Sequence, residues 1–424
     1  MRIRKKYIPP ILIMICGIAL FCCACIGTRQ ELEEDDPNRK GNVAVEESEK
    51  KREKEKAEQL EKGYDLPIDK VEREEAETDS KKLMESFKKV YEQADKGTAS
   101  NVVLSEETIC QIESIMKKKE YPLTTMITYS NMDNYEKVDD FLQNCINGKS
   151  GSVVIYEIHS DGGIGRCKYI FDGTDIYVLS TRAVWNERNE PGISFVAYTR
   201  IKEWKYTERG WFCYELCVPE PPEVTEIVDG SRMIRVKPIK AEYQEISKKC
   251  VFELGYQGNN LLCSNWDTEH LEKLDYNGVY EYLYRMKYHK AFPSEEYQNG
   301  ISRDEFEGII MEYIPVTAEQ IEEYAVFDKE TQTYAWTRLG CMNYAPSFFG
   351  TSMPEVVDKK ENEDGTVTLT VDAICEMVLC DDAVITHELT IRFSEDGSFQ
   401  YLGNKILNNE VKNIPDYQYR IRRE

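Results

Sequence analysis

The stretch GSVVIYEIHSDGGIGRCKYIFDGTDIYVLS, residues 151–180, is where the apolar pattern of this chain changes period. Upstream of it, apolar residues recur three and four positions apart. Within it, β-branched and aromatic residues gather in short runs bounded by Asp161-Gly162 and Asp172-Gly173. Asp-Gly pairs accept the positive φ of tight hairpin turns, so these runs predict antiparallel strands over 153–159, 166–171 and 175–180. The meander is expected to continue over 193–206 and 211–218, turning at Glu208-Arg209-Gly210. The segment VPEPPEV, 218–224, interrupts it, because proline cannot donate to a strand ladder. Residues 233–236 are expected to add one more strand.

Before the meander the spacing is helical. Asp69 and Glu72 suit an N-cap and its third position, and Ala76, Leu83, Phe87, Val90 and Ala94 fall on one face that Gly97 ends. A second helix starts at Ser105 and buries Ile109, Ile112, Ile115 and Met116. A strand is expected over 123–129, then a third helix carrying Val138, Phe141, Leu142, Cys145 and Ile146 and ending at Gly148. Helices followed by an antiparallel meander make an α+β domain. The order helix, helix, strand, helix, strands resembles a cone-like fold shared by many small binding proteins and a few enzymes.

The second half repeats the logic without repeating the sequence. Residues 267–274 and 276–287 read as helical, and two capping boxes are expected, Ser302 with Glu305 and Thr317 with Gln320. Strands are expected over 333–338 and 355–359, and the clearest over 366–375, 384–393 and 398–406. Val367, Leu369 and Val371 alternate with Thr366, Thr368 and Thr370, as in a sheet with one wet face. The expected organisation is a signal over 1–24 and a charged spacer over 25–63. An α+β domain over 64–240 follows, and then a second helical and antiparallel-sheet domain over 241–424.

The start of the chain gives an address. Arg2, Arg4, Lys5 and Lys6 precede an uncharged apolar run that ends at Cys22-Cys23-Ala24-Cys25. A basic head and a short greasy segment read as a secretory signal. Its ending resembles a bacterial lipoprotein signal, which implies a diacylglyceryl group on Cys25 as the new N-terminus. Cys22 stands where that family usually has leucine. The rival is an uncleaved anchor, but Pro9 and Pro10 break its first turn, and what remains is short of the ~20 residues that span a bilayer. Either way the body is expected outside, at the outer face of the cytoplasmic membrane. The spacer, with EESEKKREKEKAEQLEKG, carries charge pairs at helical spacing and no core-forming residues.

The 424 residues carry a net charge of −23, and export would strip four basic residues and deepen it. So acidic a body repels phosphate backbones, which argues against nucleic acid as a partner and gives a tether a reason to exist. Of 14 cysteines, Cys16, Cys22 and Cys23 would leave with the signal and Cys25 would carry lipid. The even remainder is compatible with disulfides, and the pairing stays open.

Several runs together carry a family likeness: GYQGNNLLCSNWD (255–267), IPVTAEQIEEYAVFDKETQTYAWTRLGC (314–341), FGTSMPEVVD (349–358), ITHELTIRF (385–393) and SFQYLGNKI (398–406). They resemble a family of uncharacterised lipoproteins from anaerobic gut bacteria with Gram-positive envelopes. The resemblance runs from about Tyr64 to the C-terminus. It implies an address and a host type and supplies no catalytic residue.

Catalytic motifs are sparse. His387-Glu388 begins an HExxH, but Ile391 stands where the second histidine belongs, and strand alternation puts His387 on the apolar face of Leu389 and Ile391. Asp381-Asp382 reads as a turn. Gly350-Thr351-Ser352-Met353 begins a nucleophile elbow that Pro354 spoils. A cysteine nucleophile needs a lowered pKa and a nearby histidine, and no spacing singles one out. One stretch has binding character: Tyr256, Asn259, Asn260, Asn265, Trp266 and Asp267 combine aromatic faces with amide and carboxylate groups. The competing reading makes it a tight loop whose Trp266 plugs the junction of the two halves.

The expected function is therefore a non-enzymatic binding or interaction role in the cell envelope, calling for no cofactor and no metal. A ligand cleft is expected between the two sheets or beside Trp266. The alternatives are an extracytoplasmic hydrolase of glycan or peptide using loop carboxylates, and a passive structural or assembly partner.

Overall fold

Asp69 opens helix α1 (Lys70–Gln93) by accepting from the backbone N–H groups of Val71 and Glu72. Ser105 caps α2 (Glu106–Met116) through the N–H of Thr108, and α3 covers Glu136–Ile146. In the computed structural model the described residues are 60–98, 101–225, 230–340, 349–377, 382–407 and scattered positions to 421. Cys25, the spacer up to residue 59, Cys341, Cys380 and Asp381 lie outside them.

Strands β1 (Leu123–Thr125), β2 (Gly151–Ile158), β3 (Ile164–Phe171), β4 (Ile176–Trp185), β5 (Pro191–Tyr206), β6 (Trp211–Leu216) and β7 (Ser231–Arg235) form one sheet in sequence order. β1 runs parallel to β2 and every later pair is antiparallel. β5 is the hinge of this sheet: up to Arg200 it pairs with β4, and from Ile201 it pairs with β6 across a register shift. Alternation sends Tyr156, Ile158, Ile164 and Ala183 to one face, against Phe87, Ile109 and Ile112 of α1 and α2. The opposite face carries Ile155, Tyr169, Phe212 and Tyr214 against Phe141 and Leu142 of α3. The acidic side of α1 lies on basic residues of β3: Lys168 Nζ is 2.7 Å from Glu72, and buried Arg166 reaches Asp79 at 3.4 Å.

The second half begins with α4 (Ala241–Cys250), a helix the sequence reading does not anticipate. Here β8 (Trp266–Asp267), α5 (Tyr276–Tyr288), β9 (Ile301–Ser302), α6 (Arg303–Tyr313), α7 (Ala318–Tyr324), β10 (Phe327–Asp328) and β11 (Thr333–Tyr334) precede the main sheet. That sheet is antiparallel in the order β12 (Met353–Glu361), β13 (Val367–Ile374), β14 (Thr386–Phe393), β15 (Phe399–Ile406), β8. Leu369, Val371, Leu389, Ile391 and Tyr401 face a core shared with α4, α5 and α6. The described residues belong to one compact unit.

The protein is α+β, with helices leading each sheet. Several local expectations change in the structure. Residues 267–274 are not a helix: Trp266 and Asp267 pair with Asn404 and Gly403 as an edge strand, and a short 3-10 turn follows over Leu271–Lys273. The strand expected over 333–338 stops at Tyr334. Thr317 and Gln320 form their capping box, whereas Ser302 makes no side-chain cap and the Glu305 carboxylate accepts from Tyr297.

The C-terminal tail straps the second half. Tyr417 donates to Asp275, the N-cap of α5, at 2.7 Å, and Arg420 Nη1 donates to Glu281 at 2.6 Å and to the carbonyl of Thr337 at 3.2 Å. Gly258 makes room for this insertion. At its φ of +75°, a Cβ would sit 2.5 Å from the Tyr282 hydroxyl and 2.8 Å from Arg420 Nη2.

Candidate functional site: a cavity between the two sheets

β1 ends at Thr125 because that side chain turns the chain. Its hydroxyl accepts from Ile127 N at 3.2 Å and donates to Ser130 Oγ at 3.0 Å. Residues 126–129, expected to continue the strand, instead form a hydroxyl-rich loop with Ser130. This loop is one wall of a cavity of about 440 Å³, a size suited to a small ligand. The first sheet supplies Glu157, His159, Cys167, Tyr169 and Tyr214, with Trp211 reaching in from the start of β6. The edge strand β7 adds Arg232 to Arg235. The second half closes the space with Met353, Glu355 and Glu376.

The halves are tied around this cavity. Tyr129 donates to the carbonyl of Pro354, Asn131 exchanges two 2.9 Å hydrogen bonds with Ile239, and Gln244 donates to the carbonyl of Tyr129 at 2.7 Å. Arg235 pairs with Glu355 and Arg209 with Asp372, both carboxylates being buried. Arg235 also stacks 3.9 Å over the Trp211 ring. Burial pulls its guanidinium down to about 10, still charged at neutral pH.

The floor holds Tyr169 and Tyr214 with their hydroxyls 2.9 Å apart, and burial keeps both protonated. Burial, then the charge of Glu157, pushes the Cys167 thiol up to about 11. That is the opposite of what a cysteine nucleophile needs. At the rim, Glu157 Oε2 lies 3.4 Å from His159 Nε2, with 43 % and 27 % of the side chains open to water. Desolvation at the wall raises the Glu157 carboxyl, opposed by Arg232 and Arg182. Burial and then Arg182 push His159 down to about 4, so the histidine is neutral at pH 7 and the contact is not an ion pair. Gly165 pairs with Glu157 across the strands. A Cβ there would meet His159 Nε2 at 2.9 Å, so glycine leaves the histidine its place.

The structure divides the six residues singled out in the sequence. Asn265, Trp266 and Asp267 border a second space, an open polar groove of about 790 Å³ on the wet face of the second sheet, beside Glu388, Arg392 and Lys405. Tyr256, Asn259 and Asn260 turn inward. Asn259 donates to the carbonyl of Leu254, Asn260 to that of Lys273, and Tyr256 meets His387. Trp266 is buried within the core of the second half, its Nε1 donating to the carbonyl of Leu261 at 2.8 Å. It does not plug the junction of the halves, where Trp211 and Arg235 stand instead.

His387 is fully buried. Asn404 Nδ2 donates to the carbonyls of Leu262 and Ser264, leaving Asn404 Oδ1 to accept from His387 Nδ1 at 2.6 Å. His387 Nε2 therefore accepts from the Tyr256 hydroxyl at 2.8 Å. Burial lowers this imidazole from 6.5 to about 4. Because the folded value lies below the unfolded one, the unfolded chain takes the proton first. The contribution is full above pH 6.5 and is lost as pH falls toward 4, by about 3 kcal/mol. Between pH 7 and 4 the stability of the wild type, from urea unfolding, should fall by about that amount more than that of His387→Asn. Parallel curves would refute the assignment.

Among the described residues, no group of three or more His, Cys, Asp or Glu is arranged to hold a metal ion, and no helix is long and apolar enough to cross a membrane. Cys110, Cys145, Cys167, Cys217, Cys250 and Cys263 carry free thiols.

The sequence model of one protein family matches residues 73–420, which takes in both sheets and every wall of the cavity. The chain belongs to DUF6070, a family of unknown function. No curated protein and no solved structure matches it. The family assignment thus carries no activity, and the cavity has to be read from its own chemistry. Its residues come from β1, β2, β3, β6, β7, β12 and the loops that carry residues 126–130, His159, Ile239 and Glu376, so no linear motif announced them. The one available signal was the expectation of a cleft between the sheets.

Proposed function

We propose that this protein is an extracytoplasmic lipoprotein, held by diacylglyceryl on Cys25 at the outer face of the cytoplasmic membrane. In this reading it binds a small envelope ligand without transforming it. The host is an anaerobic gut bacterium with a Gram-positive envelope. The cavity of about 440 Å³ between the two sheets carries the binding part of this reading. Its walls combine aromatic floor, hydroxyl loop and a few charged groups, the usual make-up of a ligand pocket. A passive spacer or assembly partner needs no such space. The anchor rests on the basic head, the apolar run and Ala24-Cys25.

The test is thermal unfolding of the full chain in detergent with wall fragments, glycans and peptides. A ligand of the folded state at 100 times its Kd adds about 2.7 kcal/mol. Cys167→Phe, which fills the cavity floor, should remove the response. A flat response across the panel would overturn the binding role. Mass spectrometry of the native N-terminus tests the anchor, since an intact unacylated start is incompatible with it.

A second reading, a hydrolase, is favoured by one observation: Glu157 and Glu376 both line the cavity. It predicts turnover of a glycan or peptide that Glu157→Gln abolishes.

A further inference from the structure

We propose that the cavity takes an uncharged, mainly apolar ligand with one strong hydrogen-bond acceptor, an acyl amide. Its apolar part would lie on the first sheet and its carbonyl oxygen at the Tyr169–Tyr214 hydroxyl pair. This rests on the binding reading and names its ligand class.

Strand register decides which side chains share this space. Ile155 pairs with Cys167 across β2 and β3, and Tyr169 stands two positions further on, so all three project from one face. Phe212 pairs with Ile234 across β6 and β7, and Tyr214 stands two positions further on, so these share a face as well. Both groups pack in one cluster with α3, and Ile155, Cys167, Tyr169, Tyr214 and Ile234 line the cavity. Met126, Ile127 and Met353 add apolar wall from the loop after β1 and from β12. Moving an apolar group from water onto such a wall is favourable.

Most polar groups of the wall are already spent. Thr124 donates to the carbonyl of Tyr156 at 3.4 Å, Thr125 to Ser130 Oγ at 3.0 Å and Ser130 to the carbonyl of Thr125 at 3.4 Å. Arg235 is paired with Glu355, and Glu157 stands at the open rim. A sugar would bring more hydroxyls than this wall can partner, and an ion would lose its hydration with no free counter-charge on the floor. The tyrosine pair is the exception. Two phenols 2.9 Å apart carry two O–H hydrogens, and their mutual bond uses one. Both side chains are buried, and the Cys167 thiol beside Tyr169 is a weak acceptor. A buried O–H without a good acceptor is unfavourable, and an entering carbonyl oxygen relieves it.

The experiment is isothermal titration of the full chain in detergent, with titration into detergent alone subtracted. The probes are N-acetyl-leucine amide and hexanamide, whose two arms distinguish a peptide unit from a fatty acyl amide, together with hexanoate, leucine amide, maltose and toluene. At least one of the two neutral amides should bind, and its charged counterpart should bind about tenfold or more weakly. Tyr169→Phe combined with Tyr214→Phe replaces both hydroxyls by apolar rings, so the melting temperature should stay near that of the wild type. That double variant should weaken the amide about threefold to tenfold and leave toluene, which has no acceptor oxygen, unchanged. Hexanoate binding as tightly as hexanamide would overturn the proposal, and so would equal losses for amide and toluene. A panel in which only glycans or wall fragments raise the melting temperature would also overturn it, and leaves the binding role itself standing. If nothing binds, both fall.

Discussion

Replacing Arg420 by alanine is expected to cost about 3–5 kcal/mol of stability, the usual loss when one partner of a buried ion pair is removed. The side chain is 0 % exposed and reaches Glu281 at 2.6 Å from only a few residues before the end of the chain. Without it, Glu281 keeps the Trp336 indole N–H at 3.2 Å but loses its cation. The loop at Gly258 also loses the group packed against it. Two nitrogens of the guanidinium have no acceptor among the described residues, so the pair is imperfect. Apolar substitution of both partners, Arg420→Met with Glu281→Leu, should therefore recover most of the loss. Urea unfolding at pH 7 measures both. A loss below about 1 kcal/mol in the single variant would show that the strap is decorative.

Glu355→Ala is expected to be as damaging, about 3–5 kcal/mol, and to act at the cavity rather than the tail. Glu355 is 2 % exposed and belongs to β12, whereas Arg235 belongs to β7. The bridge therefore crosses from one sheet to the other. Removing the carboxylate strands a guanidinium over Trp211 with, among the described residues, the Arg209 carbonyl at 3.1 Å left to receive it. The neighbouring Arg209–Asp372 pair holds the same junction, and Thr386 anchors Asp372 at 2.6 Å. The stability lost in Glu355→Ala should be regained when Arg235→Met is added. Any ligand response should be lost in the single variant. Unfolding midpoints that leave Glu355→Ala within experimental error of the wild type would contradict this role.

Some of this architecture was readable in the chain. The Asp-Gly turns at 161–162 and 172–173 mark two hairpins, and the strands around them lie within a few residues of those observed. The alternation at Val367, Leu369 and Val371 marks a sheet with one wet face, and that sheet is present. Such features are legible because period and turn chemistry are local. The failures are equally physical. Residues 267–274 look helical by spacing, but Trp266 and Asp267 find strand partners in β15, more than a hundred residues away along the chain. Thr125 stops β1 through a hydroxyl contact that periodicity does not register.

By itself the sequence determined the α+β class, the order of most elements and the acidic character. Those follow from composition and from intervals of two to four residues. Only the tertiary structure decided that Tyr256, Asn259 and Asn260 spend their polar groups on the interior. It alone decided that Trp211 rather than Trp266 stands where the halves meet, and that Glu157, Arg232 and Glu376 share one space. The reason is that a cavity is assembled by the curl of a sheet and the docking of a second one on it. Those contacts join residues whose separation along the chain carries no information about their separation in space.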